Sequence, residues 1–283
     1  MKGGKHVGFQ RVMQRCLHKG TFLLGAAMVG LMLLLMTVGL FYTPYDPEAM
    51  DTQHALAFFS PAHPLGTDQF GRDVLSRVMV GARYSFLVGA LTVVFGLVLG
   101  GVVGAVAGYY GGKIDEVVMK LIDVQMAFPG VLLALMLIAV FGNGLQNLVL
   151  ALGLMSVPRF ARIARGGFLQ YRDAEFVKAA RARGAGDGRI LFRHILPHLT
   201  PELVVTGALG FAGAVMSEAG LSYLGLGMEP TTPSFGRMLS EAQGEMLQAW
   251  WYVLIPAAGI TLLVMGFNLM GDALQEGTRH GWS

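Results

Sequence analysis

Charged residues are spread so unevenly along this chain that several long stretches hold none, and those stretches decide what it can fold into. A charge at the centre of a bilayer costs about 3 kcal/mol on insertion scales, and a helical span needs roughly 20 apolar residues. Charges therefore bracket the spans. Between Lys19 and Asp46 a first span fits at 22–42, and between Arg83 and Lys113 a second fits at 85–109. Asp123 and Arg159 enclose 35 uncharged residues, too many for one span and slightly too few for two. Two helices share them, one over 117–141 and one over 147–163, with Gly142-Asn143-Gly144 as the turn. A fifth span over 203–224 contains Glu218, and a sixth covers 250–270.

Apolar residues make up 54% of the 283 and charged ones 14%, against roughly 45 to 50% and about 25% in ordinary soluble domains. The 40 glycines are about twice the usual share, which suits helices that approach closely in lipid. The expected fold is all-α, a polytopic membrane protein with six transmembrane helices. The chain divides into a cytoplasmic amino-terminal tail (1–21), a first span (22–42), an extracytoplasmic segment (43–83), a five-helix core (84–274) with a cytoplasmic loop at 164–198, and a cytoplasmic tail (275–283). Counted with the helix ends beside them, 17 of the 21 Lys and Arg fall in the connections on one side and 4 on the other. The positive-inside rule places both termini and the long fourth connection in the cytoplasm. The net charge of +3 is then a topological signal and weak evidence for nucleic acid. The tail and first span imitate a secretory signal, but the apolar stretch is too long and Ala55-Leu56-Ala57 lies well beyond it, which reads as an uncleaved anchor. The single cysteine, Cys16, cannot form an internal disulfide.

In the second span Gly96, Gly100, Gly104 and Gly108 recur every four residues, which puts them near one helix face where a neighbour can pack at close range. Gly207, Gly210 and Gly213 in the fifth span read the same way. No Gly-x-x-x-x-Gly-Lys-Ser/Thr loop is present, so any ATP energy comes from a partner. Ion-coupled transporters usually carry paired ionisable groups near mid-membrane, whereas here Glu218 is well within a span and no Lys, Arg or His is. An acid inside a span is a candidate for the transport pathway; the competing reading of Glu218 is a carboxylate near the outer helix end that reaches water or a partner subunit. His194 and His198 are four apart, but Pro197 interrupts the helix that would present them together, so no metal site is expected there. The 17 Met read as adaptable packing. No convergent set of catalytic groups suggests a membrane-embedded enzyme.

The most basic stretch is the fourth connection, which parses as two short helices. Asp173 caps the first, Gly184 ends it in the left-handed conformation, Asp187 caps the second, and Pro197 ends or kinks the chain beyond it. Phe176, Val177, Ala180 and Gly184 lie along one side of the first helix, with Glu175, Lys178 and Arg181 along another. A helix-turn-helix DNA reader has the same outline, but a segment held against a membrane between two spans could hardly reach a duplex. A helix lying on anionic headgroups is the plainer alternative.

This loop resembles that of the membrane permease subunits of ABC importers, whose pattern is Glu-Ala-Ala, three residues, Gly, nine residues, then Ile-x-Leu-Pro. Ala179-Ala180, Gly184 and Leu196-Pro197 fall in register; Lys178 stands in place of the Glu and His194 in place of the Ile, with Glu175 and Ile195 the nearest equivalents. Glu175-Phe176-Val177-Lys178-Ala179-Ala180-Arg181, then Gly184-Ala185, then Ile195-Leu196-Pro197 is similar to the variant in dipeptide, oligopeptide and nickel permeases. The resemblance implies that the loop docks in a groove on an ATPase subunit and converts ATP-driven closure into helix movement. An apolar side with a charged rim suits helix-in-groove docking.

A second informative segment runs from His63-Pro64-Leu65-Gly66-Thr67-Asp68 through Gly71-Arg72-Asp73 to Arg77. It reads as a Gly-containing turn and a capping Thr or Asp, followed by an amphipathic helix with Val74, Leu75 and Val78 on its apolar side. The segment is similar to the one after the first span in C-type permease subunits of peptide and nickel importers. Gly220 to Gly227, Pro233-Ser234-Phe235-Gly236 and the run from Phe267 to Leu274 match the same subunits. The resemblance covers essentially 22–274 and implies a type I ABC importer permease fold in a bacterial inner membrane, forming half a pore. It also implies a second related permease chain in a heterodimer, two cytoplasmic ATPase subunits, an extracytoplasmic substrate-binding protein and surrounding lipid. ATP and magnesium would sit on the ATPase partners, with no cofactor, metal or nucleic acid bound by this chain. Dipeptides or oligopeptides are the implied cargo; nickel or a metal chelate would use the same architecture, and a secondary transporter is the distant alternative. Asp272, at the cytoplasmic end of the sixth span, reads as an interface or helix-end contact.

Overall fold

The computed structural model describes residues 19–229 and 231–279; Cys16 and the expectations for most of the amino-terminal tail and for 280–283 lie outside them. The elements are α1 (Gly20–Phe41), α2 (Val74–Tyr110), α3 (Gly112–Ala127), α4 (Gly130–Phe141), α5 (Leu145–Tyr171), α6 (Glu175–Ala182), α7 (Leu196–Tyr223), α8 (Phe235–Ala242) and α9 (Trp250–Arg279). Among the described residues five helices are long and apolar enough to cross a membrane, and α3 with α4 makes a sixth span bent by 82°.

That bend corrects the single helix expected over 117–141. Pro129 has no N–H to continue the ladder and forces the residue before it out of the helical region, so Phe128 is extended (φ −87, ψ 132) and α3 stops at Ala127. The second span also differs from expectation. Its helix is 37 residues long, about 55 Å, and its first turns stand in the segment assigned to the extracytoplasmic connection.

The four-residue glycine repeat in α2 seats this helix directly on α5. A Cβ on Gly100 would lie 2.5 Å from the Val157 carbonyl oxygen, on Gly104 2.2 Å from that of Ala161, and on Gly108 2.5 Å from that of Arg165. Gly96 meets the Ser156 hydroxyl in the same way, at 2.0 Å. Backbone touches backbone along four turns. The glycines of α7 behave differently: Gly207 and Gly210 have ordinary van der Waals neighbours at 3.5 and 3.7 Å, and Gly213 has nothing within 4 Å, so they are no close-packing seam within this chain.

In the outer half of the bundle Val74, Val78, Val215, Phe235, Met238 and Tyr252 bury together, with Phe211 stacked on Phe267 at 3.9 Å. Toward the other end, Phe160, Phe168, Ile190, Ile195 and Leu199 form a second core, onto which the long fourth connection packs.

Candidate functional site: a basic loop and a polar cap at opposite ends of the bundle

The loop folds back on the bundle through its apolar side. Val177 of α6 is buried with Tyr109, Phe168 and Ile190, Ala180 is buried beside it, and the Phe176 ring lies 4.9 Å from His198, which stacks on Tyr171 at 5.3 Å. The apolar face expected to meet a partner is therefore occupied by the protein itself. The outward surface is short and ionic: Glu175, Lys178, Ala179, Arg181, Ala182, Arg183 and Gly184 are exposed. Gly184 has φ +78, the left-handed value expected for it. Ala185 is half-buried at the turn, and Phe192, beyond it, is 69% exposed.

Neither aspartate caps as expected. The residues preceding the two helical turns are Ala174 and Gly186, without side-chain caps. Asp173 instead pairs with Arg172 at 3.2 Å, while Asp187 accepts a hydrogen bond from the Tyr109 hydroxyl at 2.6 Å. Arg181 donates to that same hydroxyl at 2.9 Å, so the inner end of α2 holds both arms of the loop. Pro197 does not end the second arm. Residues Ile190–Ile195 wind as a π-helix, whose wider turn accommodates the ring, and Asp187–Tyr223 is one continuous 37-residue helical rod that includes Ile195, Leu196 and Pro197.

At the opposite end, the segment from Gly66 to Arg77 forms a polar cap whose groups largely pair with one another, although Nε and Nη1 of buried Arg77 make no hydrogen bond among the described residues. Gly66 and Gly71 have φ +72 and +75, and a Cβ on Gly71 would collide with the Asp51 carbonyl oxygen at 1.7 Å. Thr67 donates from its hydroxyl to the His54 carbonyl at 2.5 Å and accepts from the Ala57 N–H at 2.8 Å. Asp73 caps α2, accepting from the Ser76 N–H at 2.8 Å and pairing through its other oxygen with His63 at 2.9 Å. Asp68 accepts from Arg72 Nε at 2.5 Å, and Glu241 of α8 accepts from Arg72 at 2.7 Å, Arg77 at 2.9 Å and Arg237 at 3.1 Å. Arg77 is 1% exposed, so these charges compensate one another away from water. At the rim, hydrogen bonding to His54 holds the Asp51 carboxyl below the usual carboxylate range.

Glu218 sits just below this cap. It is 1% exposed and accepts from the Ser222 hydroxyl at 2.7 Å and more weakly from Ser85 at 3.5 Å, with Ser234 a further partner. It thus faces neither water nor an open pathway, and instead ties α7 to α2 and to the start of α8. Glycines make the junction possible, since a Cβ on Gly236 would lie 2.2 Å from the Ala219 carbonyl oxygen. Asp272 is exposed on α9. Among the described residues no group of three or more His, Cys, Asp or Glu is arranged to hold a metal ion.

Three residues with defined roles escape the sequence pattern. Tyr109 and Glu241 act through partners 72 to 169 positions away, which no local spacing reveals. Arg159 reads in the sequence as the boundary of a charge-free stretch; α5 continues past it to Tyr171, so it lies along the helix rather than at its end.

Comparison with known proteins agrees with this architecture. Residues 96–280 match the family model described as the binding-protein-dependent transport system inner membrane component. The glutathione transport system permease protein GsiD of Pectobacterium atrosepticum is 40% identical, over 89% of this chain and 85% of the relative. The dipeptide transport system permease proteins DppC of Alkalihalophilus pseudofirmus and Haemophilus influenzae are 42% and 35% identical, over 77% and 90% of this chain and 71% and 88% of theirs. A solved structure of the MetNI methionine ABC transporter in an inward-facing conformation shares the fold, with a TM-score of 0.53 and 21% identity over 73% of this chain and 95% of that one. The chain thus belongs to the family of inner-membrane components of binding-protein-dependent transport systems, as a multi-pass permease subunit of an ABC importer.

Proposed function

We propose that this chain forms half of a translocation pore for dipeptides or oligopeptides, paired with a second, homologous permease and driven by ATPase subunits docked on the loop around α6. One observation carries the reading: the loop is anchored inward by Val177, Ala180 and the Tyr109 hydroxyl while its other face stays bare and charged. An extracytoplasmic binding protein would deliver substrate to the end that carries the cap. Both termini would lie in the cytoplasm, in keeping with the excess of Lys and Arg in the connections on that side. Nucleotide and magnesium would be held by the ATPase partners. The peptide cargo is supported by relatives named for dipeptide and glutathione transport.

Mechanically, docking energy would bias the bundle between inward- and outward-facing arrangements, each ATPase state favouring one of them. The continuous helix from Asp187 to Tyr223 connects the docking turn to the Glu218 junction without a break. The test is Gly184→Val in the assembled transporter. A β-branched residue is strained at φ +78, so stimulation of ATP hydrolysis by the loaded binding protein should collapse while the chain still inserts. Undiminished stimulation would refute the docking model. Identification of the ligand that copurifies with the binding protein checks the cargo.

A further inference from the structure

Arg159 takes no part in the loop, the cap or the Glu218 junction. Arg159 lies 14 residues from the outer end of α5 at Leu145 and 12 from its inner end at Tyr171. At 1.5 Å per residue it is about 21 Å along this membrane-crossing helix, and its side chain is exposed on the surface of the chain. It lines an open cavity of about 610 Å³ at the elbow of the broken third span, together with Arg162, Gln125 and apolar groups including Met126, Phe128 and Met155. Such a volume falls in the usual range for small-molecule sites, roughly 300 to 1,000 Å³.

The elbow is built into the sequence. Pro158 inside α5 has no N–H to offer the Leu154 carbonyl four residues earlier, and Gln125 from the end of α3 donates to that carbonyl at 2.6 Å. Two prolines, Pro129 and Pro158, thus create the break and the acceptor that pins it in place. Irregular backbone at membrane depth is tolerated where it lines a cavity, and Gly/Pro-interrupted spans recur at transport sites. The neighbouring Arg162 is paired with Asp123 at 2.7 Å, whereas Arg159 makes no ion pair among the described residues. A cation in a membrane-crossing helix is costly against lipid and is retained where it faces a cavity or an anion.

We propose that Arg159 recognises a carboxylate of the transported peptide as it passes the elbow cavity. The guanidinium fork matches a carboxylate in geometry and charge, and every unmodified peptide carries one at its carboxy terminus. This inference rests on the peptide-permease reading above and adds a substrate contact within the membrane.

The test uses the complete transporter in liposomes and two peptides that differ only in ending as the free acid or the amide. Arg159→Gln should lower ATP-driven uptake of the acid by about 10- to 100-fold, the scale of a lost charge-assisted hydrogen bond, and change uptake of the amide by no more than about twofold. Stimulation of ATP hydrolysis by the loaded binding protein should persist. The binding protein's own preference is common to both transporters and cancels when their acid-to-amide ratios are compared. Arg159→Leu, which suits an apolar span, provides the same measurement if the glutamine variant fails to assemble. An unchanged ratio overturns the proposal. So does a ratio that is unchanged while the variant alone becomes indifferent to replacing phosphatidylglycerol by phosphatidylcholine, which would make Arg159 a lipid contact. Failure of the wild-type transporter to take up either peptide would instead refute the peptide reading.

Discussion

The two ends of this molecule treat charge in opposite ways. At the outer end Asp68, Arg72, Arg77 and Glu241 neutralise one another within the fold, and Asp73 is shared between His63 and the first turn of α2. At the inner end Lys178, Arg183, Arg189 and Arg193 are exposed, and the pairing of Lys178 with Glu175 is itself at the surface. Polar residues in the cap determine where α2 and α8 meet; those in the loop remain available to an outside body. A dense set of charges is therefore no guide to an interface until their partners are known.

Four substitutions would break or sharpen this contrast. Glu241→Ala should be the most damaging, because it leaves buried Arg77 short of compensation; a loss of about 3 to 5 kcal/mol is expected, read as a lower unfolding temperature of the purified complex. Gly104→Val tests the helix that joins the two ends. Its side chain would collide with the Ala161 carbonyl, and overpacking of this kind costs about 1 to 3 kcal/mol, seen as thermal destabilisation. Tyr109→Phe removes the hydroxyl between Asp187 and Arg181, and about 1 kcal/mol of local stability should disappear as faster hydrogen exchange over 175–190. Lys178→Ala should leave stability within about 0.5 kcal/mol, since its ion pair is at the surface. Any fall in ATPase stimulation for that variant would then report docking, and a large fall in stability would contradict the view of the loop as an externally directed surface.

Much of this was legible from charge position alone. Lys19 and Asp46 bracket the first long helix and Lys113 lies just beyond the second, whereas Arg83, expected at the start of the second, lies inside it because the helix begins at Val74. The glycine repeat foretold a close neighbour, although not that the neighbour would be α5. Proline is harder to interpret. Pro129 breaks its span, whereas Pro197 enters the start of α7 behind a π-helical segment; the outcome depends on whether the preceding turn can widen, which composition does not reveal. Capping fails for Asp173 and Asp187 because distant partners, or none that order a helix end, take their carboxylates. Arg159 shows the limit of the same rule: it ends a charge-free stretch, yet α5 runs on past it to Tyr171.

The rod from Asp187 to Tyr223 also makes the inner and outer faces mechanically inseparable. It is roughly 55 Å long, so a lean of about 5° pivoting at one tip sweeps the other through roughly 5 Å, comparable to one turn of helix. Glu218 and its ring of hydroxyls sit near the far tip of that lever. On the proposed docking model, small torques applied at the loop would reach the far end as displacements of about one helical turn.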